Sequence, residues 1–519
     1  MHLEIHTAVV LLPFALLILR LLTALYNALV SPLRGIPGPF SARFTKLWYF
    51  HRVLRGSFHH DNIALHQCYG PIVRIAPNLY SISTADPKTI QTVYGIGSKF
   101  PKSDWYDGWA NPKSDKYSLF PDRHIRRHAE ARKRFQRMYS MSEMVNYEGF
   151  VNACARIFDQ RLREFTSTRD GVDMAHWFQC YAFDVIGDVT YSARFGFLDD
   201  GKDKSDLLTA LHRTQVYSTL IGIYAEWHRA VWDLAVRIPW TGASARGYLM
   251  QYVSEQIERR QRERRKKDAV EEGKKEDNEG MPKDFLDKLM DGHDEDPDKV
   301  TAYHIFMMGL SNIIAGSDTT AVTLSAIFYY LLRNPPTLAT LRAEIADFDR
   351  RGECSHPDLS FKESQAMPYL QAVIKEALRL HPATGLPMWR VVPEGGAELC
   401  GQYMPGGTVV GLNCWVAHYD KQVFGPDVKE FRPERWIEAE NDAARLKEMN
   451  AAWIPFGMGS RTCLGRHVSM LEMSKLVPRL VRDYDFELEG DEKEWDTANF
   501  WFVKPVDFRV TVKARKEDS

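Results

Sequence analysis

One segment near the C-terminus has the residue types for metal chemistry: Phe456-Gly457-Met458-Gly459-Ser460-Arg461-Thr462-Cys463-Leu464-Gly465. Its glycines let the backbone turn through positive φ and approach a flat ligand closely. The apolar spacing that follows predicts an amphipathic helix over residues 464–481. Cys463 then sits at a helix N-terminus, where free N–H groups and the positive end of the dipole favour a thiolate. Arg461 adds a fixed positive charge suited to a carboxylate, and Phe456 an aromatic wall. A lone cysteine is more often a buried apolar side chain. A Phe-x-x-Gly-x-Arg-x-Cys-x-Gly loop running into a helix is far more specific.

A second cluster, Ala315-Gly316-Ser317-Asp318-Thr319-Thr320, lies inside a stretch of helical spacing over 298–334 that stops at Pro335-Pro336. At ~1.5 Å per residue, such a helix can run the width of a domain. The Thr319 hydroxyl can bond the carbonyl four residues back, at Ala315, and open the helix locally. Gly316 leaves room beside the opening, and the resulting groove could hold dioxygen and a water, with Asp318 placed to feed protons toward it. The same letters also describe a packing glycine beside an exposed aspartate, and both readings stand at this level.

Other elements must position these clusters. Residues 70–83 alternate as a hairpin around Pro77-Asn78, and 100–122 read as a long aperiodic loop. Residues 123–139 are basic with helical period, which by charge alone describes a solvated face. Residues 183–189 and 194–197 read as a buried helix and the turn after it. Mixed charge and few apolar residues make 259–280 an exposed linker. Residues 368–380 predict a helix opened by Pro368 and stopped before Pro382, with Glu376 and Arg379 on one face. An extended run over 384–391 and turns at Cys400-Gly401 and Pro405-Gly406-Gly407 complete the pattern.

Bulk properties exclude several classes. The chain has 519 residues, 45% of them hydrophobic, and a formal net charge of -1, which gives no footprint for nucleic acid. The cysteines number seven, without a C-x-x-C pair, so neither a zinc site nor a disulfide framework is indicated. Residues 8–30 are almost wholly apolar and suit one tilted bilayer span of about 20 residues. Arg34, Arg43, Lys46, Arg52 and Arg55 follow it, so the positive-inside rule places the bulk of the chain in the cytosol. A proline-rich linker, Ile36-Pro37-Gly38-Pro39, ends the span.

Taken together, the cysteine loop, the 315–320 cluster, the Glu376/Arg379 pair and Phe431-Arg432-Pro433-Glu434-Arg435-Trp436 resemble the cytochrome P450 superfamily. The likeness covers nearly everything after residue 33. His128-Ala129-Glu130-Ala131-Arg132, with 183–189 and 194–197, resembles a fungal branch that includes pisatin demethylase-like enzymes. The resemblance implies a mainly α fold with small β-sheets and an N-terminal transmembrane helix. Residues 1–33 would be the anchor and linker start, and 34–519 one haem-thiolate monooxygenase domain at the endoplasmic reticulum membrane, facing the cytosol. It implies haem b with Cys463 as the axial ligand of iron. His128 stands where the family has tryptophan, and with Arg132, Arg390 and Arg461 it would hold the haem propionates. Asp318 and Thr319 become the acid–alcohol pair that delivers protons. Arg435 joins Glu376 and Arg379 in a structural triad, while 384–388, Trp501 and Phe502 line the substrate pocket. The implied reaction inserts one oxygen atom from O2 into a lipophilic small molecule by hydroxylation, epoxidation or demethylation. No flavin or nicotinamide domain is read in the chain, so NADPH-cytochrome P450 reductase, with cytochrome b5 as a second donor, is the expected partner. Two alternatives are a haem-thiolate isomerase or dehydratase and a non-enzymatic haem protein; the acid–alcohol pair speaks against both.

Overall fold

Thr301 starts the longest helix in a capping box with His304, and the helix runs over Ala302–Arg333, 32 residues. It stops at Asn334 because Pro335 and Pro336 cannot extend it and instead open the next helix, Pro335–Arg350. At ~1.5 Å per residue it spans roughly 48 Å and forms the axis of the core. The computed structural model describes residues 15, 18–19, 22, 25–26, 29–84, 86–167, 171–271, 283–490 and 495–515. Among these, helices dominate and the strands form small sheets.

The helix Met174–Tyr191 packs along the long helix. Its Asp184 is fully buried and accepts the N–H groups of Phe195, Gly196, Phe197 and Leu198 at 2.9–3.2 Å, which fixes the turn expected after it. Gly316 is where the two helices touch: a Cβ there would lie 2.7 Å from Ile186 Cγ1. The glycine thus serves helix packing, the first of its two readings to have a contact behind it.

A four-stranded sheet is ordered Ile72–Ala76, Leu79–Ile82, Val409–Leu412, Arg390–Val391, with the middle pair parallel and both outer pairs antiparallel. Its first hairpin turns at Asn78, φ 57°. The expected hairpin at Cys400-Gly401 also forms, both residues left-handed at φ 48° and 72°. Residues 500–503 are the tip of a further hairpin, Asp496–Phe500 with Phe502–Val506, rather than a free loop.

One expectation changes and another falls largely outside the described residues. The 259–280 stretch is not a linker from its start, because the helix Gly242–Glu271 continues through it. Arg260 is buried and donates to Asp284 at 3.1 Å and Asp287 at 2.6 Å, and Arg264 reaches Asp291 at 2.6 Å. Charge alternation reads as exposure in a sequence, but here it clamps this helix to Phe285–Glu295; residues 272–282 lie outside the described residues. The transmembrane span falls mostly on residues outside the description, and no described helix is long and apolar enough to cross a membrane.

The helix Pro368–Leu380 holds the buried charge centre. Arg379 donates to Glu376 at 2.8 and 2.9 Å, Arg435 at 2.9 Å, and Trp436 Nε1 at 2.9 Å. Burial alone would raise the Glu376 carboxyl, but Arg379 and then Arg435 outweigh it and hold it below the usual carboxylate range. Removing one partner of such a cluster strands the other charges, a cost of about 3–5 kcal/mol. Glu376→Ala is therefore expected to lose stability by that amount in denaturant unfolding. Because the folded pKa is depressed, Glu376 stabilises fully above the unfolded carboxylate's ~4.3 and progressively less as pH falls below it. The wild-type to mutant gap should shrink on acidification, and a gap independent of pH would contradict this.

Candidate active site

The loop before the C-terminal helix Arg466–Asp483 closes on itself: Cys463 N donates to Phe456 O at 2.7 Å. Gly457 and Gly459 take φ of 70° and 59°, as a tight turn demands. A side chain at Gly459 would collide with the Tyr94 carbonyl, so its close approach is to backbone rather than to a ligand. Phe456 is half-buried and meets Trp453 edge-on at 6.2 Å.

The Cys463 thiol is solvent-accessible, yet burial dominates its ionisation and raises its pKa. Backbone N–H groups of Gly465 and Arg466, with the charges of Arg132 and Arg466, pull the other way. This is the helix-terminus effect expected from the sequence, here too weak to ionise the thiol without a metal. The long helix shows a matching feature. Ala315 is exposed while Ile313, Ser317 and Asp318 around it are buried, and Thr319 Oγ1 donates to Ala315 O at 2.9 Å.

Positive charge gathers beside the cysteine loop. Arg132 Nη1 donates to Thr462 O at 2.6 Å and Arg461 Nη1 to Asp122 O at 2.6 Å. Arg390 is buried and donates to Tyr106 Oη at 3.3 Å and Trp389 O at 3.0 Å. Lys102, also buried, lies 4.2 Å from the ring centres of Tyr106 and Phe120. None of these four cations has a carboxylate in ion-pair contact among the described residues, and Arg461 Nη2 has no partner at all. Burial and then Arg390 bring Arg461 down to about 10; burial, then Arg390 and Arg461, push Lys102 well down. His128 faces the same charges: burial, then Arg461, Lys102 and Arg132, lower it to about 3, so its ring is neutral.

Buried like charges without counter-ions are unfavourable unless a ligand supplies them. A flat group with two carboxylates and an iron seeking a thiolate meets that need, so the residues present fit haem b. Arg390, Arg461, Arg132 and His128 would face its propionates and Cys463 its iron. Sequence reasoning missed Lys102 and Tyr106, which lie in an aperiodic loop where no spacing marks them.

Asp318 is neither exposed nor free. It pairs with Lys504 at 2.8 Å and accepts from Gln179 Nε2 at 2.5 Å and from Gln215 Nε2. At the expected pocket wall, Trp501 is buried, 4.9 Å from Trp105 and 5.9 Å from Phe120, while Phe502 bridges to Thr384. Residues 100–122 thus hold a buried aromatic cluster built on the turn Asp104–Trp109.

Cys463→His is expected to lose the red-shifted carbon-monoxide difference band of a thiolate-ligated haem while keeping part of its haem content. No other described cysteine combines an enclosed, accessible thiol with a glycine-rich loop. Persistence of that band in the mutant would mean that a different cysteine is the ligand.

Comparison with known proteins agrees with this geometry. The cytochrome P450 family model matches residues 37–511. The chain is similar to a pisatin demethylase of Fusarium vanettenii, 37% identical over 508 residues, covering 97% of this chain and 93% of that protein. It is also 36% identical to a cytochrome P450 monooxygenase of Aspergillus terreus, over 92% of this chain and 94% of that one. The matching loop, helices and charge cluster, with likeness along nearly the whole length, show that this chain belongs to the cytochrome P450 family and is a haem-thiolate monooxygenase.

Proposed function

We propose that this monooxygenase oxidises a lipophilic secondary metabolite or plant defence compound, with electrons from NADPH-cytochrome P450 reductase and cytochrome b5 as a second donor. The observation that carries the oxygen chemistry is the Thr319–Ala315 bond beside an accessible Ala315 in an otherwise buried helix. Thiolate-ligated haem supplies oxygen reduction and O–O cleavage. Thr319 Oγ1 holds a proton or water at that face. Asp318 passes protons inward when its Lys504 contact opens, and the partly exposed Lys504 marks the solvent side. The name of the Fusarium relatives favours demethylation among the possible outcomes.

In Thr319→Ala, reducing equivalents should shift toward peroxide, with product per NADPH falling at least twofold while substrate binding changes little. The test is peroxide and product measured against NADPH consumed in a reductase-driven, oxygen-dependent assay. An unchanged ratio would return Thr319 to helix packing.

Electron delivery is assigned to the basic helix Ile125–Phe135 and the turn Gln136–Tyr139 after it. Arg126, Lys133, Arg134 and Arg137 are exposed there, whereas Arg127 is held by Asp122 at 2.6 Å and drops out of the patch. Such a patch steers an acidic partner and raises association rate more than affinity. Lys133→Glu with Arg137→Glu should slow reductase-driven turnover severalfold and spare peroxide-driven turnover. An equal fall in both would refute docking at this surface.

Membrane association through residues 8–30, single-pass with a cytosolic catalytic domain at the endoplasmic reticulum, is part of the same proposal. A second apolar surface supports it. Phe40 is 77% exposed, Trp240 73% and Leu234 66%, and the Lys46–Glu226 ion pair at 3.1 Å joins their two regions. Exposed apolar groups of this size mark interaction surfaces. Deleting residues 1–30 should leave the haem spectrum intact and some protein still on membranes in fractionation. Loss of haem would make the segment part of the fold.

A further inference from the structure

A cleft of about 740 Å³ lies between the 101–127 segment, the helix Ala225–Arg237, the helix Gly242–Glu271 and the first turns of the long helix. That volume suits a drug-sized ligand. Part of its wall is apolar: Met250, Phe306, Met307 and Leu310.

The polar part carries an unbalanced charge. Arg246 lines the cleft with 9% exposure, donates Nη1 to Trp109 O at 2.7 Å, and leaves Nε without a partner. No carboxylate pairs with it among the described residues. Burial lowers it to about 10, so it remains a cation at neutral pH. His228 lines the same cleft at 2% exposure, and its ring has no partner of full hydrogen-bond geometry, the Asp107 backbone being the one polar group near it. Burial and then the Arg246 charge bring it down to about 4, with only the Asp107 backbone opposing. The two carboxylates at the cleft are occupied, Asp107 by Arg123 at 2.6 Å and Asp122 by Arg127 at 2.6 Å. Exposed Arg229 and Lys116 add positive charge at the rim. Lys102 lines the same cleft, so the cleft reaches from Arg246 and His228 to the cations assigned to haem.

We propose that this cleft binds the carboxylate end of a lipophilic organic acid, with Arg246 as its charge partner and His228 as a neutral N–H donor. An arginine–carboxylate bond is charge-assisted and directional, and it removes the cost of a buried unpaired guanidinium. The apolar wall takes the body of the molecule. As an assignment of substrate class this rests on the monooxygenase reading, but its test needs neither oxygen nor NADPH, so either can fail alone.

The probes are 1-pyrenebutyrate and the neutral 1-pyrenebutanol, titrated by fluorescence against the full-length holoprotein. Wild type should bind the acid at least tenfold more tightly than the alcohol. Arg246→Gln should bring the two within about twofold and leave alcohol binding unchanged, while Arg246→Lys keeps most of the preference. His228→Leu should reduce the preference by a smaller factor. Methyl 1-pyrenebutyrate, which keeps the carbonyl but loses the charge, should bind wild type no more tightly than the alcohol, which decides the matter even if Arg246→Gln misfolds. Equal binding of acid and alcohol by wild type, or a preference that survives in Arg246→Gln, would overturn the proposal.

Discussion

Glu376 is a carboxylate with no access to water, held by two guanidiniums, an indole N–H and the Arg432 backbone. Its charge exists inside the protein only because those donors are in place, and the donors reach outward from it. Arg379 also donates to the carbonyls of His418 and Val428 at 2.9 and 2.8 Å. His418 is kept neutral, down to about 3 through burial and the Arg379 charge, so one ring nitrogen serves the Arg379 carbonyl while the other accepts from Ile454 N at 2.9 Å. Ile454 is two residues before Phe456. The position of the cysteine loop is thus tied, through one histidine, to a buried ion cluster from another helix.

The same economics of buried charge explain the ligand site. At Glu376 the protein supplies both signs in direct contact; beside Cys463 the cations outnumber the one nearby carboxylate, Asp122, which is already paired with Arg127. Arg461, Arg390, Lys102 and Arg132 are held by backbone carbonyls and aromatic faces rather than by carboxylate ion pairs. Such a wall has a preference built in for a dianionic ligand, and haem meets it. The Cys463 thiol has the opposite need: burial raises its pKa, and haem iron bound there would take the place of the proton.

Asp318 shows how a carboxylate is held inside a helix interface. The pairing with Lys504 and two glutamine amides makes its charge tolerable in a helix interface. That arrangement links the middle of the long helix to a strand almost two hundred residues later, so Asp318 and the Asp496–Phe500 and Phe502–Val506 hairpin share one contact.

The sequence by itself determined the local features, because each rests on neighbours along the chain. The helix Pro368–Leu380 agrees residue for residue, its start set by proline at the first helical position and its stop by the proline after His381. The Thr319–Ala315 bond, the Asn78 and Cys400-Gly401 turns and the Phe456–Cys463 loop closure likewise follow from spacing and φ preference. Tertiary structure decided everything that depends on which residue comes up against which. It made Gly316 a contact with Ile186, turned half of a charge-rich stretch into a buried Arg260 clamp, and drew Lys102 and Tyr106 from a featureless loop to the haem cations. Arg246 and His228 lie in unremarkable helical sequence, and only packing left them buried, adjacent to a cleft and without a counter-charge. Propensity and spacing are short-range; desolvation and charge pairing are settled by neighbours that the chain brings together only when folded.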